Sequence, residues 1–483
     1  MPSATDLARK RPPTNSRRLL EGSIVKSLLR IAVPVVCANI LQSGYQLTDA
    51  FWVGRLGGDA VAAVAVSFPI TFLLIAIGAG LAIAGSTLVA QYMGAGDTRM
   101  VNHVSAQTLL LVALTSVVLG AVGFALAPSV LRLMGVAPEV FEGGLQFMRV
   151  SFVGLVFIFG FAMIQALLRG VGEVLSPMLI VLGTVILNFL LDPLFIFGWG
   201  PLPAAGVAGA AFATLGTQSL AALIGMALLA SGKYGIHVHL RDFRPDVAFI
   251  KRAFTLGFPA SIEQSTRALG MTVMTFLMAS FGTVTVAAFG MGINVLSFVI
   301  IPAMGLSMAT STLVGQNIGA GQIARADSIA RLSATVAFVS LSVLGAVVFV
   351  GATPLMAFFV PTDEAVVTSA STFLRTVAPT FGFVGLQLAL TGVFRAAGNM
   401  VVAMTLALVS QWVIQFPLAY ILSMHTSLGA SGLWWAFPVS NVIVGFASLA
   451  WFLKGDWKKA RLTDNDLVTA AVSEKILLEE GVH

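Results

Sequence analysis

The feature that most constrains this chain is a series of about twelve long apolar stretches that fill most of its 483 residues. A hydrocarbon layer of about 30 Å is crossed by a helix of about 20 apolar residues, and each stretch reaches that length. Only 10% of the residues are charged, against about 25% in an average soluble domain. We therefore expect an all-α integral membrane protein with about twelve transmembrane helices and little room for a soluble domain.

The apolar stretches divide into two sets of six. The expected spans are 28–53, 60–84, 104–128, 144–167, 174–197 and 205–231 in the first half, and 253–280, 285–310, 329–355, 370–393, 400–423 and 429–453 in the second. This division predicts a segment 1–27, a first lobe 28–231, a linker 232–252, a second lobe 253–453 and a tail 454–483. The tail has the pattern of a short amphipathic helix on the membrane surface, or else of a soluble structural cap.

The net charge of +6 is concentrated outside the spans. Seven Lys and Arg residues lie before or at the very start of the first span, five lie in 232–252 and five in 454–483. With an even number of spans these segments share one side, which the positive-inside rule assigns to the cytoplasm. We expect both termini in the cytoplasm and the chain in the cytoplasmic (inner) membrane, with the lipid bilayer rather than nucleic acid as its partner. The polar segment 1–27 is too long for a signal-peptide head, so the first apolar run is expected to be retained.

The two halves repeat each other at a constant offset along the chain. Pro34 falls on Pro259, Gly57 on Gly282 and Gln91 on Gln316, and after one inserted residue the run Leu168–Gly172 falls on Phe394–Gly398. Because each half has an even number of spans, the two lobes have the same orientation and are related by an axis along the membrane normal. A cleft between two such lobes is typical of alternating access. Duplication in a scaffold or a channel is the alternative.

Polar residues of the first span form one stripe, which includes an acid. At 100° per residue the stripe is about 120° wide, and its members are Asn39, Gln42, Tyr45, Gln46 and Asp49. A carboxylate near the hydrocarbon costs at least about 2.5 kcal/mol, so it normally faces a cavity or a partner. The alternative is that Asp49 lies at the helix end, level with the lipid headgroups.

The fifth span carries a second acid at a matching depth. Asn188 and Asp192 are four residues apart and share a helix face. Pro193 frees the carbonyl of Phe189, and Thr214 of the sixth span supplies a hydroxyl. Two carboxylates, an amide oxygen and a hydroxyl suit a small hard cation such as Na⁺, and two neighbouring carboxylates suit a proton equally well. Pro34 provides a bend in the first helix.

In several of its motifs the chain resembles the multidrug and toxic compound extrusion transporters. The residues that show the resemblance are Asp49–Gly57, Gln91–Gly96, Leu168–Gly172 and Asn188 with Asp192-Pro193. It implies twelve helices in two lobes and the exchange of cations for organic drugs. It also implies that Asp49, Asn188, Asp192 and Thr214 form a cation site in the first lobe, with Tyr45 and Gln165 nearby.

The second lobe offers Glu263, about ten residues into its first expected span. Some members of the family use a glutamate here for coupling. Arg267 lies four residues on, so a neutralised structural ion pair is the alternative. The same relatives carry an acid in the tenth span, whereas residues 371–391 of this chain contain Arg375 as their only charged residue. This departure favours the first-lobe site.

The leading hypothesis is a monomeric antiporter in which H⁺ or Na⁺ moving inwards through the Asp49 and Asp192 site expels amphipathic, often cationic, organic compounds. A flippase for lipid-linked saccharides is the alternative within the superfamily. A flippase would need a cleft rich in cations to bind pyrophosphate, whereas Arg267 is the only cation expected to be buried near the centre. No cofactor is expected beyond the coupling ion. The single cysteine, Cys37, excludes an intrachain disulfide, and the spans offer neither a nucleophile with its base nor a phosphate loop. The chain is therefore not expected to be an enzyme.

Overall fold

Long α-helices dominate the structure, a computed structural model that describes residues 19–199, 203–361, 363–459 and 461–463. Within these residues the chain forms twelve long helices. The first six are α1 Ile24–Gly54, α2 Gly58–Gly94, α3 Thr98–Leu133, α4 Pro138–Gly170, α5 Leu175–Phe197 and α6 Val207–Ala230. The last six are α7 Val247–Ala279, α8 Thr283–Gly319, α9 Ile323–Phe359, α10 Glu364–Ala396, α11 Met400–Met424 and α12 Ala430–Lys454.

Among the described helices, eleven are long and apolar enough to cross a membrane, which leaves α7 as the exception. α7 carries Lys251, Arg252, Glu263 and Arg267, and this charge lowers its hydropathy. Two helices are irregular. α10 contains a 3₁₀ turn at Ala378–Thr380, and α11 contains a π-helical segment at Val409–Gln415. The expected all-α membrane architecture is confirmed.

Several helices are longer than the expected spans. α2 has 37 residues, and so extends well beyond the expected 60–84. Polar caps carry the helices beyond the apolar runs; Asp97, Asp246 and Asp363 each accept a hydrogen bond from the backbone three residues on, at 3.2, 3.1 and 3.1 Å.

Two helices begin before the expected domain boundaries, which are therefore corrected. α1 begins at Ile24, inside the expected segment 1–27, and α7 begins at Val247, inside the expected linker 232–252. Of the tail, the structure describes a 3₁₀ turn at Asp456–Lys458 and residues 461–463. The surface helix expected in the tail falls outside the described residues.

The internal repeat is confirmed by matching backbone conformations. Gly57 and Gly282, which precede α2 and α8, have φ of 108° and 96°. Gly96 and Gly321, which follow the same two helices, have φ of 74° and 76°. These conformations exclude most side chains, and the two members of each pair occupy equivalent positions of the repeat.

Close backbone contacts join the two lobes. α2 packs against α4 of its own lobe and against α7 and α8 of the other lobe. A side chain at Gly80 of α2 would collide with the backbone of Ser261 in α7, whose hydroxyl donates to the carbonyl of Ile77 at 2.8 Å. Small residues thus allow the helices to approach at the interface.

The segment between α6 and α7 is fixed to the first lobe. Gln107 of α3 donates to the carbonyls of Asp242 and Arg244 at 2.9 and 2.8 Å and accepts from the amide of Asp246 at 2.9 Å. We call this side of the molecule the terminal face, because α1 begins and α12 ends there too.

Candidate functional site

The two predicted acids meet through one asparagine in the first lobe. Asn188 Nδ2 donates to Asp49 Oδ1 at 2.6 Å and to Asp192 Oδ2 at 3.1 Å. The two amide hydrogens thus bridge a carboxylate on α1 and a carboxylate on α5. Thr214 of α6 donates to Asp49 Oδ2 at 3.5 Å, the outer limit of a hydrogen bond.

Helical spacing and small residues place these groups. Asn188 and Asp192 lie one turn apart on α5, and Tyr45 and Asp49 lie one turn apart on α1. α6 approaches α5 closely because Gly209 lies against the backbone of Phe195, where a larger residue would collide. The three helices therefore bring these polar side chains together.

Thr217 completes the site and was not predicted. Its hydroxyl donates to the carbonyls of Ala213 and Thr214 at 3.0 Å each, and it lies 2.5 Å from the Tyr45 hydroxyl and 3.4 Å from Asn188 Oδ1. The Tyr45 and Thr217 hydroxyls are thus hydrogen-bonded to each other, and either can be the donor. The sequence did contain a signal for Thr217, because this residue lies three positions after Thr214 and so shares its helix face.

The deepest groups of the site are fully buried. Asn188 and Asp192 each have 0% of their surface exposed, whereas Asp49 is partly buried. Asp192 Oδ1 is buried with no hydrogen-bond partner in the described structure. A buried carboxylate oxygen without a donor is costly, so a cation or a proton at this atom fits the site.

The orientation of Asn188 corrects one expectation. Its amide oxygen was expected among the cation ligands, but its amide nitrogen faces both carboxylates and its oxygen faces Thr217. The nitrogen donates because the carboxylates carry acceptors only. Among the four predicted side chains, the oxygens left for a cation belong to Asp49, Asp192 and Thr214.

The other predicted accessory residues of the first lobe do not join this network. Gln42 and Gln46 are exposed, and Asn39 and Gln165 are partly buried. None of these four has a hydrogen bond to either acid among the described contacts. The stripe predicted on the first span therefore contributes only Tyr45 and Asp49 to the site, because five positions spread over about 120° cannot all face one neighbour.

The two predicted prolines lie inside site helices. Pro34 is in α1, fifteen residues before Asp49, and Pro193 follows Asp192 in α5. Both remove a backbone donor within the helix that carries an acid.

The acid of the second lobe is neutralised by two arginines. Glu263 is completely buried, and its Oε1 accepts from Arg395 at 2.7 Å and from the predicted partner Arg267 at 3.2 Å. Arg395, with 11% of its side chain exposed, lies deeper than Arg267 with 38%, although Arg267 was expected to be the one buried cation. Arg395 lies at the end of α10, in the repeated run that matches Leu168–Gly172, and this position was the signal for Arg395 in the sequence. This geometry favours the structural ion pair at Glu263.

Comparison with known proteins places the chain among transporters. The MatE family model matches residues 34–194 and 259–421, two segments that begin at Pro34 and at its repeat equivalent Pro259. The chain is 29% identical to "Probable multidrug resistance protein YpnP" of Bacillus subtilis, over 92% of this chain and 98% of that protein. It is 24% identical to "Probable multidrug resistance protein NorM" of Thermotoga maritima, over 92% and 96%.

Solved structures agree with this placement. One is described as the "Outward-facing conformation of a multidrug resistance MATE family transporter of the MOP superfamily". It superposes with a TM-score of 0.85 at 25% identity, over 92% of this chain and 98% of that chain. Twelve helices in two lobes are therefore an architecture shared with these transporters.

Proposed function

Because the chain belongs to the MatE family of multidrug transporters, we propose that it exports amphipathic, often cationic, organic compounds in exchange for inward-moving H⁺ or Na⁺. The coupling ion binds at Asp49 and Asp192, and the substrate binds in the cleft between the lobes. Export proceeds by alternating access, in which the cleft opens to one side of the membrane at a time.

The observation that carries this proposal is the pair of carboxylates that share one amide donor. Asn188 bridges Asp49 and Asp192, and one oxygen of Asp192 is buried without a partner. Binding of a single positive charge satisfies that oxygen and halves the charge of the pair. In a low-dielectric site such a change alters the interaction of α1 with α5 strongly.

Between the two candidate ions, the hydrogen-bond pattern favours H⁺. Sodium prefers a shell of several oxygens, whereas Asn188 presents to both acids an amide nitrogen, which donates hydrogen bonds and does not ligate a cation. A proton needs only one oxygen, which Asp192 Oδ1 provides.

The charge distribution supports an orientation. Cations cluster at the terminal face, where α7 begins and α12 ends; among the described residues they include Lys251, Arg252, Lys454, Lys458 and Arg461. By the positive-inside rule we assign this face to the cytoplasm. We further propose that the protein lies in the inner membrane as a monomer.

The proposal is tested with purified protein in liposomes loaded with a cationic fluorescent dye. A pH jump and a sodium jump are imposed separately, and dye movement is followed by fluorescence. We expect dye movement to follow the pH jump. Movement that follows only the sodium jump would assign coupling to Na⁺, and movement indifferent to both would refute coupling.

A substitution identifies the site. Asp192→Asn keeps the shape of the side chain but removes its charge, and we expect at least about a hundredfold loss of gradient-driven dye transport, a barrier increase of about 2.7 kcal/mol. Asp59→Asn is the matched control, because Asp59 is an exposed acid at the start of α2 in the same lobe. Undiminished transport by Asp192→Asn would remove Asp192 from the mechanism.

A further inference from the structure

Two glutamines related by the internal repeat hold the lobes together at the terminal face. Gln91 of α2 donates from Nε2 to the carbonyl of Ala396 in the second lobe at 2.7 Å. Gln316 of α8 donates from Nε2 to the carbonyl of Gly170 in the first lobe at 2.8 Å. Both glutamines are fully buried. The repeat thus produces the same hydrogen bond twice, once in each direction across the interface.

The backbones at this point are in direct contact. A side chain at Gly94 would collide with the carbonyl of Gln316, and a side chain at Gly319 would collide with the carbonyl of Gln91. The contact therefore leaves no space for a passage between α2 and α8 at this level. For the cleft to open towards the terminal face, both glutamine bonds must break.

The C-terminal segment reinforces one of the two bonds. The amide of Leu462 donates to Gln91 Oε1 at 2.8 Å, and Arg461 donates to the carbonyl of Gly319 at 2.8 Å. Gln316 Oε1, which occupies the equivalent place, is buried without a partner in the described structure. The segment after α12 thus links α2 of the first lobe to α8 of the second.

We propose that Gln91 and Gln316 are gate residues of the transport cycle, and that residues Arg461–Leu462 form a strap that locks the Gln91 half of the gate. Breaking the gate exposes the cleft to the terminal face, and re-forming it closes that face while the opposite side opens. The inference rests on the proposed alternating access. It does not depend on which ion or compound is transported.

The experiment measures the distance between the lobes at the terminal face. Spin labels are attached at Ser231→Cys, at the end of α6, and at Ser328→Cys, in the second turn of α9, in a Cys37→Ala background. Both serines are exposed. Double electron–electron resonance on purified protein in lipid then reports the ratio of long to short distances, and neither substrate nor an ion gradient is required. Failure of this test is therefore separate from failure of coupled transport.

The gate predicts a graded response. Gln316→Met removes one buried hydrogen bond and should raise the ratio of open to closed molecules roughly fivefold. Gln91→Met removes two bonds and should raise it more, by about 25-fold, and the double variant should raise it by about 100-fold. Gln146→Met, an exposed glutamine on α4, is the matched control and should leave the ratio unchanged.

The strap is tested by Arg461→Met, which changes an exposed residue and so leaves the core packing intact. It should raise the ratio of open to closed molecules severalfold in the parent. It should have a smaller effect when Gln91→Met is already present, because the two changes act on the same half of the gate. Identical distance distributions in the parent and the double glutamine variant would overturn the gate. Equal effects of Arg461→Met in the two backgrounds would overturn the strap.

Discussion

At the scale of single residues, Thr217 is the centre of the hydrogen-bond network around the two acids. Its hydroxyl lies 2.5 Å from that of Tyr45 and 3.4 Å from Asn188 Oδ1, whereas Thr214 contacts only the edge of the network at 3.5 Å. Thr217→Val keeps the side-chain volume but leaves the Tyr45 hydroxyl and the Asn188 oxygen without that partner. We expect stability to fall by about 1 kcal/mol and dye transport to fall about tenfold.

Thr214→Val is the comparison for this prediction. Because the Thr214 hydroxyl reaches Asp49 only through a long hydrogen bond of 3.5 Å, its replacement should lower dye transport by no more than about threefold. Transport rates of both variants in liposomes, at matched protein content, provide the measurement. A larger loss with Thr214→Val than with Thr217→Val would contradict the geometry described for α6.

The buried ion cluster of the second lobe gives a second prediction at this scale. Arg395→Met removes the deeper partner of Glu263 and leaves a buried carboxylate with the more exposed Arg267. Removing a partner from a buried pair costs about 3 kcal/mol or more. We expect Arg395→Met to lower the thermal unfolding midpoint clearly, and Arg267→Met to lower it less.

A compensating change separates charge from packing in this cluster. In Arg395→Met the added substitution Glu263→Gln removes the uncompensated charge, so it should recover part of the lost stability. The thermal unfolding midpoints are measured by differential scanning calorimetry of the protein in detergent. No recovery in the double variant would show that Arg395 stabilises the protein by packing alone.

Sequence reasoning found the acids of the site but only part of their surroundings. Asp49, Asn188 and Asp192 were predictable because a charge inside an apolar span demands a partner, and four-residue spacing fixes a shared face. The direction of the Asn188 amide was not, because it depends on which neighbours offer acceptors. Arg395 was missed because it lies 132 residues from Glu263, so the four-residue helical spacing that pointed to Arg267 could not point to Arg395.

At the scale of helices, the π-helical segment of α11 shows how an irregular turn is stabilised. In this segment, Val409–Gln415, the carbonyl of Ser410 accepts a hydrogen bond from Ser440 Oγ of α12 at 2.9 Å. A neighbouring helix thus supplies the donor for a carbonyl in the widened turn. Such a partner on another helix is outside the reach of a pattern along one chain segment, so the sequence predicted only a regular span here.

Ser440→Ala tests this role. Without the Ser440 hydroxyl the carbonyl of Ser410 loses this donor, and we expect stability to fall by about 1 kcal/mol. Ser448 lies two turns further along the same helix, is fully buried, and its hydroxyl has no partner in the described structure. Ser448→Ala should therefore leave the unfolding midpoint unchanged or raise it. Equal losses for the two variants would argue against a specific role for Ser440.

At the scale of the whole molecule, the arrangement of two lobes could be predicted because the sequence itself contains the repeat. Positions such as Gly57 and Gly282 carry the same residue because both need the same backbone conformation, so one offset with a single inserted residue aligns the lobes. The contacts between the lobes could not be predicted in the same way. They join α2 to α7 and α8 and also α1 to α8, and nothing in the pattern of either half specifies which faces meet.

The interface between the lobes predicts the effect of added bulk. Gly80→Val places a side chain against the backbone of Ser261 and so opposes the closed arrangement of α2 and α7. Because the proposed alternating access requires this arrangement to form and separate in each cycle, we expect at least about a tenfold loss of dye transport. Gly183→Val is the control, because no atom lies within 4 Å of a side chain at that exposed position. Normal transport by Gly80→Val would show that the contact is not required.

The central claim is that the carboxylate pair exchanges its ion against the exported compound. Exchange is reciprocal, so a substrate gradient must drive the ion as effectively as an ion gradient drives the substrate. The direct measurement is therefore ion movement into liposomes when an outward gradient of a transported dye is imposed, followed with a pH indicator and with a sodium indicator. We predict a dye-dependent ion flux with the parent protein and none with Asp49→Asn or Asp192→Asn. A dye gradient that moves no ion through the parent, or one that moves ions equally through the two variants, would contradict the account.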